Sequence, residues 1–238
     1  MKKSIVLLIA TFLFGKAFSQ VSSVGMKNEF KEITSMGRIQ SGGQGLQTYN
    51  SGNIKGSQFF NETWSAGSVT GTNKVIISNN YLFLYDKVRQ ELFIKPKDSD
   101  LIVLVDKNQI LSFTINTDKA HVFYRAAMYD PSQDGNFVEV LVQNDKYSLL
   151  KVIKTDFVKA NPNDLEKVKQ GEFNDEFVDH LSYYIFSNNK IEKINLSEYG
   201  IRKVMKPEKT KVDDFFSLHS NDEVDERLLV NLINTLNS

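Results

Sequence analysis

Phe137-Val-Glu-Val-Leu-Val-Gln-Asn-Asp-Lys-Tyr-Ser-Leu-Leu-Lys-Val-Ile153 decides the fold class. Two runs rich in aliphatic and β-branched residues flank the polar quartet Gln143 to Lys146, the pattern of an antiparallel β-hairpin. Asn and Asp tolerate the left-handed backbone that tight turns use, so the turn is expected at Asn144 and Asp145. The period of two then places Val138, Val140 and Val142 on one face, opposite Leu150 and Val152. Glu139 and Lys151 are expected to face water.

Upstream, from Phe59 to Ala127, apolar runs are punctuated about every ten residues by turn sequences, an all-β signature. The runs are Val75 to Ile77, Tyr81 to Tyr85, Glu91 to Ile94, Leu101 to Val105, Ile110 to Ile115 and His121 to Ala127. In Ile110 to Ile115, Leu111, Phe113 and Ile115 alternate with Ser112 and Thr114, which predicts one buried and one wet face. Tyr81 to Tyr85 and Leu101 to Val105 do not alternate and are expected to be covered on both faces. Downstream, charged residues and Asn161-Pro162-Asn163 mark Asp156 to Asp179 as a surface excursion, with a short helix over Asp164 to Lys169. A second hairpin follows, Leu181 to Phe186 and Lys190 to Asn195, turning at Asn188-Asn189.

The period then changes to that of helices. Ser197 to Met205 is expected to be helical and stopped by Pro207, with a second helix over Lys209 to Leu218. Ser220-Asn221-Asp222-Glu223 reads as a capping box for the last helix. Val224, Leu228, Leu229, Leu232, Ile233 and Leu236 form an apolar stripe that must dock on the β domain or on a partner.

The N-terminus carries Lys2 and Lys3, an apolar run from Ile5 to Phe14, and small residues at Ala17 and Ser19. That is a secretory signal peptide, with cleavage expected near Ser19 and Gln20. The apolar run is about half the length of a membrane span. The chain of 238 residues holds 29 basic and 29 acidic residues; cleavage removes three lysines and no acid, leaving a charge of −3. The expected organisation is a signal peptide at 1 to 19, a flexible Ser/Gly-rich leader at 20 to 56, an antiparallel β domain at 57 to 196 and a helical segment at 197 to 238. Within the leader, Met26, Phe30 and Ile33 have the spacing of a short helix ending near Gly37. The fold class is mainly β (α+β): a meander of about nine to eleven strands as a curled sheet, sandwich or open barrel, carrying three short helices.

Several pieces of this order resemble uncharacterised secreted proteins of the Bacteroidota. They are Gly56-Ser57-Gln58-Phe59-Phe60-Asn61-Glu62-Thr63-Trp64 followed by Gly67, the segment Asp106 to Ile115, the hairpin Phe137 to Lys151, Ser182-Tyr183-Tyr184 and the helical end. The resemblance covers residues 56 to 238. It implies export and this fold, and carries over no site residue.

Composition narrows the function. Cysteine is absent, which removes thiolate chemistry, Cys-ligated metal sites and a lipid anchored on cysteine, and leaves the fold to an ordinary core. Near-neutral charge argues against nucleic acid, whose binding needs a basic face. Asp130 and Asp134 are the candidates for a cation site, but an EF-hand counted from Asp130 would need Glu where Leu141 stands. Glu62 beside Trp64 is the candidate ligand site, since a Trp face stacks on sugar rings and glycosidases need paired carboxylates. His121, His180 and His219 show no metal-binding spacing, and no Gly-x-Ser-x-Gly elbow supplies a nucleophile. No catalytic residue and no cofactor is assigned. The expected function is a non-catalytic exported protein of the cell envelope or periplasm, or fully secreted, that binds a protein or envelope polymer or serves simply as a structural accessory. The alternatives are a binder of a small apolar ligand inside a lipocalin-like, aromatic-lined sheet and, third, a hydrolase of envelope polymers.

Overall fold

The computed structural model describes residues 31, 33–40, 54–130, 135–161, 163, 169 and 174–238. The signal peptide, Met26 and Phe30, Asp134 and the Asp164 to Lys169 helix, except for residue 169, lie outside the described residues.

The first strands are β1 (Gly37–Gln40), β2 (Ile54–Lys55), β3 (Gly67–Gly71), β4 (Ile76–Ile77), β5 (Tyr81–Asp86), β6 (Glu91–Pro96) and β7 (Ile102–Val105). Then come β8 (Ile110–Asn116), β9 (Ala120–Arg125), β10 (Phe137–Val142), β11 (Ser148–Val158), β12 (Asp175–Ser187) and β13 (Lys190–Ile194). A small sheet has the order β1-β7-β6-β5, and a large one the order β13-β12-β11-β10-β9-β8-β3-β4, with β2 beside β12. Every pairing is antiparallel except β2 with β12. The molecule is mainly β, and its sheets do not close into a barrel.

One face of the large sheet carries two cores side by side. On β11, Leu149, Lys151 and Ile153 share that face by the period of two. Ile153 joins Val69, Phe113, Ile115, Phe123 and Phe137 of the large sheet against Phe83, Tyr85, Leu92, Ile94 and Val103 of the small one. Leu149 joins Tyr183, Ile185 and Ile194 against the helices. Those helices are α1 (Glu198–Val204), α2 (Lys209–Leu218) and α3 (Glu226–Asn237). The stripe Leu228, Leu229, Leu232, Ile233 and Leu236 is buried in this second core, so α3 docks on its own β domain.

The opening hairpin forms between β10 and β11, but its faces are reversed. Glu139 and Lys151 stand opposite each other, as do Val140 and Leu150, and a bulge then sets Val142 against Leu149. Glu139 is 2% exposed and Lys151 8%, so the expectation that they face water is corrected: they point between the two cores. Val138, Val140, Leu150 and Val152 share the opposite face, where Tyr184, Phe186 and Ile191 also pack. Val142 does not join them, because the bulge inserts one residue and turns it toward the helical core. The turn also differs. Neither Asn144 nor Asp145 has positive φ; Asn144 Oδ1 instead accepts from the Lys146 amide at 3.0 Å, an Asx turn. Asn188 and Asn189 adopt φ of 50° and 58°, as expected for the second hairpin.

Four further expectations are corrected. Residues 37–40 lie within the expected leader yet form β1 on the edge of β7; Gly37 permits the approach, since a Cβ there would meet Leu104 O at 2.2 Å. β11 and β12 pair continuously from Ser148 with Phe186 to Val158 with Glu176, so strand occupies both ends of the expected excursion. Ile102 and Leu104 are half-buried while Val103 and Val105 are buried, so β7 is fully covered on one face only. The cap of α3 is Asp225, whose carboxylate accepts from Leu228 N at 2.8 Å, and not Ser220, which lies in a turn five residues earlier.

Candidate functional site

Two polar features stand out on this scaffold, one buried and spent, the other open and unspent. The buried one fills the junction between the two cores. Glu139 on β10 receives His121 Nδ1 of β9 on Oε1 at 2.6 Å and the Lys151 ammonium of β11 on Oε2 at 2.6 Å. The Lys151 contact is an ion pair bent away from the hydrogen-bond axis. Lys151 also meets Glu226 of α3 at 3.1 Å, and the Tyr183 hydroxyl of β12 donates to Glu226 at 2.9 Å. Burial, and then the bond to Glu226, push the Tyr183 phenol well above its ordinary range. At the wet end, Asp118 approaches His121 Nε2 at 3.4 Å. The Thr117 hydroxyl, with His121 second, holds that exposed carboxyl down to about 2. Glu139 and Glu226 thus share the Lys151 ammonium between them, the opposite partner that buried charges require.

A second contact ties the small sheet to the large one. Lys87, in the β5–β6 turn, donates to Asp179 at 2.6 Å, and the Thr155 hydroxyl donates to the other oxygen of that carboxylate at 2.6 Å. Gln90, held at φ 56°, accepts from the Tyr85 hydroxyl at 2.7 Å and from the Phe137 amide at 3.1 Å. These bonds fix the turn against the start of β10.

The residues singled out from the sequence fall elsewhere. Asp130 ends a turn in which its amide donates to Ala126 O at 2.9 Å; Asp134 lies outside the described residues. Glu62 is exposed on a loop closed by Asn61, which donates to Thr63 O and Ser65 Oγ. Trp64 is half-buried, with the Lys95 ammonium 5.3 Å from its ring centre. In the segment Phe59 to Trp64, Phe59 bridges to Asp86 of β5, the Phe60 amide donates to Tyr85 O at 2.8 Å, and the Phe60 ring packs against the core between the sheets. His121 belongs to the buried chain, His180 meets Asp156 at 3.4 Å at the surface, and His219 stacks on Phe215 at 4.1 Å. Among the described residues no group of three His, Cys, Asp or Glu side chains could hold a metal ion. The aromatic residues lie on one another, with Phe113 and Phe123 stacked at 4.7 Å, Tyr85 about 5 Å from both and Phe137 5.0 Å from Phe113. No described helix is long and apolar enough to cross a membrane.

The open feature is a cleft of about 410 Å³ at the β1 edge of the small sheet. Register places it: Arg38 stands opposite Leu104, and Leu104 opposite Phe93, so Arg38, Leu104 and Phe93 share the face turned away from the core. Glu91, two residues before Phe93, lies on that face too. Asp106, Lys107 and Gln109 close one end. Asp106 is partly committed, since it accepts from Asn108 N at 2.9 Å, and Lys107 donates to Arg89 O at 2.8 Å. Arg38, Glu91 and Gln109 make no side-chain hydrogen bond or ion pair among the described residues. The cleft is not legible in the sequence because β1, which lies within the expected leader, is more than 50 positions from the strands it joins. The available signal was Gly37 followed by Arg-Ile-Gln, a short alternating run. No family model, curated protein or solved structure matches the chain.

Proposed function

We propose that this chain is an exported, non-catalytic binding accessory of the cell envelope that engages its partner through the cleft at the β1 edge. The observation that carries this is the contrast between the two polar sites. The buried chain from Asp118 to Tyr183 uses its polar ends on itself, and a substrate would have to break those bonds to enter. The cleft holds a free guanidinium, a free carboxylate and a free amide around a volume within the range of small-molecule sites. Export is supported by the charged start, the apolar run and the small residues of the first nineteen positions.

Affinity capture from the envelope fraction tests the reading, using the mature chain and an Arg38→Glu, Glu91→Lys double variant side by side. Partners recovered by the parent and lost by the variant are the expected result. An identical set from both, or nothing above background from either, overturns it. The compartment is checked separately by mass spectrometry of the protein from its own cells, where a mature start at Gln20 is expected.

A further inference from the structure

We infer that the cleft at the β1 edge recognises a zwitterion, an amino acid or short peptide carrying both a free ammonium and a free carboxylate; this deepens the binding role proposed above and rests on it. Each simpler ligand class meets an obstacle in the lining. A bare anion would face Glu91 and Asp106, and a bare cation would face Arg38 and Lys107. Sugars and bases are held by stacking on aromatic rings, and no ring lines the cleft. Two charges of each sign remain, a neutral total with separated poles.

The poles also have a usable spacing. Arg38 and Glu91 lie two strands and two residues apart on one face, a Cα separation of about 12 Å from strand geometry. Side chains stand roughly perpendicular to a sheet, so the two charges keep about that spacing, the span of one or two amino-acid residues with a hydrogen bond at each end. The guanidinium presents a planar fork to a carboxylate. Glu91, at the other end, accepts from an ammonium. Gln109, with its amide free, can meet the peptide group between them, donating to its carbonyl and accepting from its N–H. Gly37 keeps the floor low, because a Cβ there would press on Leu104 O and force β1 outward.

The test is an NMR titration of the ¹⁵N-labelled mature chain with alanyl-alanine, N-acetyl-alanyl-alanine and alanyl-alaninamide. Saturable shifts at the Leu104, Val105, Lys107 and Gln109 amides are expected with alanyl-alanine. Blocking either end should weaken binding about tenfold, the effect of losing one charge-assisted hydrogen bond. Arg38→Gln should abolish the penalty for the C-terminal amide only, and Glu91→Gln the penalty for the N-acetyl group only. Arg38 is exposed and Glu91 half-buried, and both variants should keep the parent's dispersed spectrum. If blocked and free dipeptides bind equally, the zwitterion assignment is wrong and the cleft still stands as a binding site. If none of the three shifts these amides at about 20 mM, the assignment fails outright, and envelope capture alone decides the broader reading.

Discussion

Glu139 shows how one residue can belong to the surface by pattern and to the interior by position. Its carboxylate meets the His121 ring and the Lys151 ammonium from neighbouring strands, so removing it leaves a nearly buried ammonium with only the partly exposed Glu226 as counter-charge. Truncating one member of a buried pair costs about 3 kcal/mol or more. Glu139→Ala is therefore expected to lower the urea midpoint strongly, whereas Asp118→Ala, at the exposed end of the same chain, should leave it near that of the parent. Equal midpoints for both variants would show that Glu139 is not held as described. Tyr183 supplies a pH dependence at the other end. Its folded-state phenol is raised above the ordinary value of 10 by burial and by Glu226, so the folded state favours the protonated form. The stability it contributes is fully present below the unfolded-state value and is lost as pH rises toward the higher folded one. Melting temperatures recorded between neutral and strongly alkaline pH should fall, and Tyr183→Phe should make that fall shallower. Tyr85, whose phenol burial also raises, keeps the slope from vanishing.

At the scale of elements, the local signals of the chain were legible where one residue type answers one backbone need. Ser197 was readable as a helix start, and its hydroxyl accepts from Gly200 N at 3.0 Å. Asn188 and Asn189 occupy the left-handed turn that their side chains tolerate. Misreadings came where two candidates competed within a few residues. Ser220 and Asp225 are both good caps, and the choice is made by where the Leu228 to Leu236 stripe meets the sheet, a tertiary fact. Asp225→Ala should destabilise by about 1 kcal/mol, the usual worth of a cap, while Ser220→Ala should fall within the scatter of surface substitutions. Chemical denaturation of the two variants distinguishes them, and the reverse order would restore the earlier helix start. The Asn144 turn was likewise overridden from outside. The Tyr147 amide donates to Asn237 Oδ1 at 3.1 Å, Asn237 Nδ2 donates to Tyr147 O at 2.9 Å, and Lys146 donates to Leu236 O at 2.7 Å. The loop is shaped to hold the end of α3, a role no hairpin rule contains.

For the molecule as a whole, mainly β architecture with a docked helical end was readable from turn spacing and the change of period, because both are repeated many times along the chain. The division of one sheet face between two covering layers was not readable, since it depends on which distant elements lie side by side. That division also decides how the protein should unfold. β11 supplies Leu149 to the helical core and Ile153 to the core between the sheets, with Lys151 joining both layers through Glu139 and Glu226. Two cores sharing a strand and a buried charge chain should melt together, as a single cooperative unit does. Trp64 is the sole tryptophan and lies beside β5, where the neighbouring Ser65 bridges to Phe83, so its fluorescence reports the small-sheet side. Ellipticity at the helical wavelength reports α1 to α3 on the other side. Leu232→Ala, which opens a cavity in the helical core alone, is expected to cost about 3 kcal/mol and to shift both signals to the same lower midpoint. A variant in which the helical signal moves and Trp64 fluorescence keeps its parental midpoint would show that the layers unfold independently, and that the shared strand does not couple them.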